Sequence, residues 1–113
     1  HGFTGPFVQY THARIKSILR KEAPSNASDW MNEPLLPLEK SMLVYLEQFP
    51  SVIEQAATEH NPSAVAGYVF KLAQLFNSFY TQHQISRAET PAKKELRLRI
   101  AVMTAHVLSA GMG

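Results

Sequence analysis

The apolar side chains of this sequence recur at helical spacing along nearly its whole length. Five segments carry apolar residues three and four positions apart, which is the pattern of amphipathic helices. These segments lie at about residues 6–21, 37–49, 50–61, 62–82 and 90–111. No segment shows the two-residue alternation of a strand, and no internal repeat is present. The pattern therefore predicts an all-α fold, a bundle of about five helices in one domain covering residues 1–113.

Cap residues and prolines predict where the helices begin and end. Ser51 and Glu54 fit a capping box at the start of the third helix. Asn61 precedes a proline and fits the N-cap of the fourth helix, and Gly111 fits a left-handed stop after the fifth. Residues 22–37, which are rich in proline, asparagine and serine, are predicted to form a loop.

The fourth helix is the most apolar, and the fifth has apolar residues on two sides. About half of the circumference of the fourth helix is apolar, which predicts a central position. The fifth helix has two apolar faces, which are Leu96, Ile100, Met103 and Val107 on one side and Leu98, Ala101, Ala105 and Leu108 on the other. A helix of this kind is packed between neighbours. We therefore expect a further segment to cover its second face, and the chain to be part of a longer polypeptide.

Composition excludes several classes of protein. The chain has 113 residues, of which 45% are hydrophobic and 18% charged, as expected of a small globular domain. The absence of cysteine excludes disulfide scaffolds, zinc–thiolate sites, iron–sulfur clusters and thiol catalysis. No apolar run approaches the ~20 residues of a membrane span. Scattered histidines and the lack of a phosphate-binding glycine loop argue against an autonomous enzyme.

The charged residues are arranged in blocks behind the small net charge of +2. Residues 1–21 carry four cations and no acid, residues 22–60 carry seven acids and one lysine, and residues 61–113 carry six cations and two acids. If the two basic blocks meet in space, they form a positive face, backed by an acidic one, that suits a polyanion. The alternative is that each block is an ordinary solvated helix surface.

The most informative group of residues for function combines aromatic and basic side chains from three helices. Tyr10 and Arg14 lie one turn apart on the first helix, Tyr80 lies at the edge of the apolar arc of the fourth, and Arg97 projects from the largely apolar fifth. Single-stranded RNA is recognised by bases stacking on aromatic rings and by cations on phosphates. The alternative is that the tyrosines belong to the core and that Arg97 pairs with an acid, Glu89 or Glu95.

Residues 5–15, 68–80 and 97–112 carry three motifs that resemble those of arginyl-tRNA synthetases. Residues 5–15, GPFVQYTHARI, resemble that family's Gly-Pro-aromatic-x-Gln-Tyr-x-x-x-Arg segment. Residues 68–80, YVFKLAQLFNSFY, resemble its Tyr-Leu-x-x-Leu-Ala-x-x-Phe-Asn-x-Phe-Tyr helix. Arg97 and Leu98, followed by residues 107–112, are similar to its last long helix. The three matches occur in the family's order and span nearly the whole chain.

The resemblance implies the helical anticodon-binding (DALR) domain of a class I synthetase. The parent would be a cytoplasmic, monomeric arginine–tRNA ligase that uses ATP and Mg²⁺ to join arginine to tRNA(Arg). The class signatures His-Ile-Gly-His and Lys-Met-Ser-Lys-Ser are absent from this chain, so the catalytic domain would lie upstream and these residues would need no cofactor. The family continues beyond the position of Gly113, so the domain would be truncated at its C-terminus.

The resemblance also implies roles for individual residues. Tyr80 would stack on or border an unpaired base, and Arg97 would hold a base edge or a phosphate. Tyr10 and Arg14 would position the anticodon stem or hold the bundle together, and Asn77 would cap or bridge helices. Sequence-independent phosphate contacts would come from Lys16, Arg20, Lys93 and Lys94.

Two other functions remain open from the sequence. One is a helical module that binds a partner protein through the second apolar face of the fifth helix. The other is the related helical domain of a different synthetase, or of the β subunit of a glycyl enzyme, against which residues 5–15 argue.

Overall fold

The computed structural model describes residues 4–22, 24, 29–85 and 88–112. These residues form five α-helices, one short 3-10 helix and no strand. The α-helices are α1 (Thr4–Lys21), α2 (Pro37–Glu47), α3 (Phe49–Thr58), α4 (Ser63–Gln82) and α5 (Pro91–Met112), and the 3-10 helix is Asp29–Asn32. The predicted all-α bundle is confirmed, with helix boundaries within a few residues of the predicted ones.

The helices form three layers, with α4 and α5 in the middle. The extensive contacts of α1 are with α4 and α5, whereas α2 and α3 pack on α4, and α2 also packs on α5. On α4, Phe70 meets Phe7 of α1 with 5.5 Å between ring centroids, and Tyr68, on the opposite flank, stacks on Tyr45 of α2 at 4.5 Å. The α1 layer and the α2–α3 layer therefore lie on opposite sides of the molecule.

The middle of α4 is sealed from solvent. Leu72, Ala73, Phe76 and Phe79 have no exposed surface, because helices pack on both flanks of α4. Burying one large apolar side chain stabilises a fold by about 1.5–3 kcal/mol. The predicted central position of α4 is confirmed.

Two tyrosines join α2 to α4. The Tyr45 hydroxyl donates a hydrogen bond to the backbone carbonyl of Tyr68 at 3.2 Å, and the Tyr68 hydroxyl donates one to the backbone carbonyl of Tyr45 at 2.5 Å. Burial, with the neighbouring Tyr45 adding to it, raises the pKa of Tyr68 to about 12. Each phenol is therefore held as a neutral donor between the two helices.

The predicted capping box of the third helix is wrong. Helix α3 begins at Phe49, so Ser51 and Glu54 lie inside it, and the backbone N–H of Val52 donates to the carbonyl of Gln48. Only Gln48 separates α2 from α3, so the chain turns without leaving room for a separate cap. Asn61 accepts a hydrogen bond through its side chain from the Ser63 hydroxyl, and no side chain caps the N-terminus of α4.

The predicted stop at Gly111 is also wrong. Helix α5 continues to Met112, and none of the described glycines has a positive φ. A Cβ atom at Gly111 would lie 2.3 Å from Cγ1 of Val69, which is closer than two carbons can approach. The glycine therefore allows α5 to pack closely against α4 rather than ending the helix.

The second apolar face of α5 is already covered within this chain. Leu98, Ala101, Ala105 and Leu108 are all at most 3% exposed. The expectation that this face needs a further segment is therefore wrong, because α1 and α4 pack on α5 from different sides. The predicted loop also contains the 3-10 helix, whose Trp30 packs on the core, while Ala23 and residues 25–28 lie outside the described residues.

Candidate nucleic-acid interface

The outer side of α1 presents a ring on one flank of its buried stripe and two cations on the other flank. Val8 and Ile15, at 2% and 0% exposure, hold the opposite face against the core. Tyr10 is 58% exposed, and both Lys16 and Arg20 are exposed. The helical period that buries the apolar stripe thus places these three side chains on the outside.

Arg14 connects α1 to α4. Its Nη1 donates to Oδ1 of Asn77 at 2.5 Å, and its guanidinium carbon lies 4.8 Å from the centroid of the Tyr80 ring. Asn77 in turn donates through Nδ2 to the Thr11 hydroxyl and to the Ala73 carbonyl, both at 2.9 Å. Asn77 therefore bridges the two helices through all of its side-chain polar atoms. The separate cation–π contact between Arg14 and the Tyr80 ring contributes about 0.5–1 kcal/mol.

Tyr80 is half-buried in this arrangement. Its ring stacks on Phe76, with 6.0 Å between centroids and 13° between planes, and it also contacts the Arg14 guanidinium. Both of these contacts are made by the Tyr80 ring inside the protein. The more exposed ring is that of Tyr10, one turn before Arg14 on the outer face of α1.

Two basic residues of α5, Lys93 and Arg97, contact a buried acid instead of facing solvent. The Glu39 carboxylate is 0% exposed and accepts hydrogen bonds from Lys93 Nζ at 2.5 Å, from Arg97 Nε at 2.9 Å and from the backbone N–H of Leu36 at 2.8 Å. Lys93 also donates to the carbonyl of Pro34. This cluster joins the start of α2 to the first turns of α5.

The hydrogen bonds around Glu39 keep it ionised. Burial by itself raises the pKa of the Glu39 carboxyl. The hydrogen bonds from Lys93, Leu36 and Arg97, together with the charge of Lys93, outweigh burial and leave the pKa below its usual value. A buried carboxylate is tolerated when its charge is paired and its oxygens accept hydrogen bonds, as they do here.

The structure decides between the acids that the sequence offered to Arg97. Its Nη2 donates to Glu89 at 3.1 and 3.3 Å, whereas Glu95 accepts a hydrogen bond from Arg99. Glu39, the buried partner of Arg97, was missed by the sequence analysis. A local sequence pattern could have indicated the position of Glu39 at a helix start, because a proline at the first helical position and a glutamate at the third are typical of a helix N-terminus.

Polar side chains at the C-terminal end of α4 form two adjoining depressions. One, about 230 Å³ in volume, is lined by Thr81, Gln82, His83, Gln84, Glu89 and Arg97. The other, about 320 Å³, is lined by Asn77, Ser78, Thr81 and Gln82. Because Thr81 and Gln82 line both, a polar track runs from Asn77, beside Arg14, to Arg97. The track was not predicted from the sequence, because only the packing of α5 on α4 brings Arg97 beside Thr81 and Gln82.

The structure therefore groups some of the sequence-predicted residues and separates others. Arg14, Asn77 and Tyr80 are in contact, and Tyr10 lies on the same helix as Arg14. Lys93 is buried against Glu39 and does not extend the positive surface of α1, whereas Lys94, whose side chain is 41% exposed, pairs with Glu22.

The opposite side of the molecule is acidic. Glu47, Glu54 and Glu59 are exposed on or directly after α2 and α3. Lys40 is the exposed cation of the same layer. The acidic face is present on the α2–α3 layer, but the two basic blocks do not merge into one positive face, because Lys93 and Arg97 are buried against Glu39 and α1 supplies the basic side.

Residues 8–113 match the family model of the DALR anticodon binding domain. No helix within the described residues is long and apolar enough to cross a membrane.

Several curated arginine–tRNA ligases are similar to this chain. The ligase of Flavobacterium psychrophilum is 39% identical over 95% of the chain, and that of Alkaliphilus metalliredigens is 41% identical over 98%. The arginyl-tRNA synthetase of Thermus thermophilus superimposes with a TM-score of 0.79 at 32% identity over 94% of the chain. The chain spans only 18–20% of the length of these proteins.

Proposed function

Because this chain belongs to the DALR anticodon-binding domain family, we propose that it binds the anticodon arm of tRNA(Arg) and positions that tRNA for aminoacylation by a catalytic domain in the same polypeptide. The observation that carries the proposal is the exposed Tyr10 ring beside the Arg14–Asn77–Tyr80 contact, on the basic side of the molecule. Aromatic platforms flanked by cations are how proteins hold unpaired bases.

Each residue has a distinct part in this binding. The ring of Tyr10 provides the surface on which an unpaired base stacks. Arg14 and Asn77 hold Tyr80 in place at the edge of that surface. Lys16 and Arg20 contact backbone phosphates. Lys94 adds a weaker phosphate contact, since it is shared with Glu22. Lys93 and Arg97 hold the start of α2 against α5, and Arg97 also borders the polar track.

The parent polypeptide would carry out the chemistry. Since the similar proteins are arginine–tRNA ligases about five times as long as this chain, the proposal extends to a cytoplasmic, monomeric parent. That parent would ligate arginine to tRNA(Arg) using ATP and Mg²⁺ bound outside these 113 residues. The present residues would supply tRNA binding alone and hold no cofactor.

A protein-interaction module is the weaker candidate. It was expected to bind through the second apolar face of α5, and that face is buried by other helices of this chain. The surface on which that function depended is therefore not presented to a partner.

Titration of a tRNA(Arg) transcript into the protein, at two salt concentrations, tests the proposal. We expect the Tyr10→Ala protein to bind about 5- to 150-fold more weakly, because stacking of one base contributes about 1–3 kcal/mol. Lys16→Gln should weaken binding and reduce its salt dependence. Lys40→Gln is the matched control, since it removes an exposed cation from the acidic side. Equal losses for Lys16→Gln and Lys40→Gln, or unchanged binding by Tyr10→Ala, would contradict the assignment to this face.

A further inference from the structure

Arg97 contacts two glutamates that differ greatly in their environment. Glu39 is completely buried, whereas the side chain of Glu89 is 60% exposed, in the segment just before α5. We propose that the depression beside Arg97 is a phosphate-binding subsite for single-stranded RNA, an inference that rests on the proposed function. In the free protein, Glu89 occupies this subsite, and the phosphate displaces it from Arg97.

The two ion pairs of Arg97 are not equally easy to break. Removing a partner from a buried pair is strongly destabilising, so Nε stays on Glu39. An exposed pair contributes little, because water screens it and the free carboxylate regains its hydration. The two contacts from Nη2 to Glu89, at 3.1 and 3.3 Å, are also longer than the 2.9 Å contact to Glu39. Glu89 is therefore the partner that a competing anion can replace.

The position of the depression fits a continuous RNA strand. It shares Thr81 and Gln82 with the shallow cleft that begins at Asn77, where Arg14 is bound. A strand whose base stacks on the ring of Tyr10 can thus follow the polar track along α4 to Arg97. The track connects cations of α1 and α5 that otherwise lie on different sides of α4.

The local electrostatics make Arg97 necessary for anion binding at this point. The C-terminal end of a helix is negative, so the last turn of α4 disfavours a phosphate. The fixed guanidinium compensates for this, and an arginine–phosphate hydrogen bond is stronger than a neutral one. A phosphate and the Glu89 carboxylate cannot both occupy Nη2, because they repel each other. Phosphate binding at Nη2 of Arg97 therefore requires Glu89 to move.

Two substitutions at Glu89 separate this mechanism from a general effect of charge. Glu89→Asp keeps the negative charge but shortens the side chain, so its carboxylate no longer reaches Nη2. Glu89→Gln removes the charge. We expect both variants to bind a tRNA(Arg) transcript about 2- to 5-fold more tightly than the unmodified protein. The gain corresponds to the free energy of the exposed Arg97–Glu89 ion pair, which RNA does not have to break in these variants. Glu54→Gln, on the acidic side, should leave the affinity unchanged.

The results distinguish failure of this inference from failure of the proposed function. If the unmodified protein binds the transcript and Glu89→Asp binds no more tightly, the displacement of Glu89 is refuted while RNA binding stands. A gain with Glu89→Gln alone would show a general charge effect and would also refute it. Absence of binding by all of the proteins would refute both proposals.

The NMR signals of the Arg97 side chain provide a second measurement. On addition of the transcript we expect the Nη signals to shift, since that group exchanges Glu89 for a phosphate. The Nε signal should stay in place because Glu39 holds it. Unchanged Nη signals at saturating transcript would overturn the subsite.

Discussion

Two cations of α1, Lys16 and Arg20, and two of α5, Lys93 and Arg97, belong to the same residue types but have opposite environments. Lys16 and Arg20 of α1 are exposed to solvent, whereas Lys93 and Arg97 of α5 are 6% and 1% exposed and contact Glu39. The cause is the position of each helix in the three layers. Helix α1 is an outer helix with one buried stripe, whereas α5 is a middle helix with neighbours on several sides.

This difference assigns the two groups to different tasks, with Arg97 Nη2, which contacts the 60%-exposed Glu89, as the one proposed exception. An exposed cation is stabilised little by ion pairs with its neighbours, and it remains available to a polyanion. A buried cation must be paired, and the ion pair then holds together the two helices that carry its partners. The number of basic residues in a segment therefore does not show how many of them can meet RNA.

The largest expected effect comes from removing the acid that the α5 cations share. Glu39→Gln leaves Lys93 and Arg97 buried without their common partner, and we expect a loss of about 3–5 kcal/mol in the free energy of unfolding. Urea denaturation followed by circular dichroism measures it. Glu54→Gln, an exposed acid on α3, is the control and should change stability by less than about 0.5 kcal/mol. A loss below 1 kcal/mol for Glu39→Gln would mean that the cluster does not hold the helices together.

One substitution made in both regions tests the comparison directly. Lys93→Met should cost about 1–3 kcal/mol of stability, because Glu39 and the Pro34 carbonyl lose a donor in a buried site. Lys16→Met, on the exposed face of α1, should stay within about 0.5 kcal/mol. Thermal unfolding of the two variants side by side gives the difference. Equal losses would show that the two environments do not differ energetically.

The pH dependence of stability should reveal the Glu39 cluster. Because the folded state lowers the pKa of Glu39 below its ordinary value of 4.5, its contribution is fully present above that value and is lost as the pH falls through the folded pKa. Each unit by which the pKa is lowered corresponds to about 1.4 kcal/mol. Urea midpoints between pH 2.5 and 7 should fall less steeply for Glu39→Gln than for the unmodified protein. Parallel curves for the two proteins would contradict this.

The smallest expected effect concerns the α1 cations themselves. Arg20→Gln should leave thermal stability unchanged but reduce the slope of the logarithm of tRNA affinity against the logarithm of salt concentration by about 0.7–0.9, the value for one phosphate contact. Lys40→Gln should change neither quantity. A slope unaffected by Arg20→Gln would exclude this residue from the RNA contacts, and an equal change for Lys40→Gln would remove the distinction between the two sides.

Helix type and approximate boundaries could be predicted from the sequence because both depend on local spacing. The apolar stripes of α1 and α4 repeat with the period of the helix, and prolines mark helix starts locally. The central position of α4 followed from the width of its apolar arc. The resemblance carried by residues 5–15 and 68–80 was also local, and it led to the family.

Helix ends and the environment of single polar residues were predicted less well. Gly111 has the residue type of a helix stop, but its role depends on Val69, more than forty residues away. Tyr80 and Tyr10 are both tyrosines near apolar stripes, and only the packing of α1 on α4 makes one half-buried and the other exposed. Of the candidate site, the Arg14 and Asn77 residue types were visible in the sequence, but their contact with each other was not.

The amino-acid sequence by itself determined that this chain is a helical bundle, where its helices lie, and which side chains are charged or aromatic. The tertiary structure decided which of those charges are available, because burial depends on which helices become neighbours. Glu39 and Arg97 are separated by 58 positions, and only the packing of α2 on α5 brings them to 2.9 Å. Charge is a property of a residue, whereas the dielectric environment and the partners that determine its use are properties of the fold.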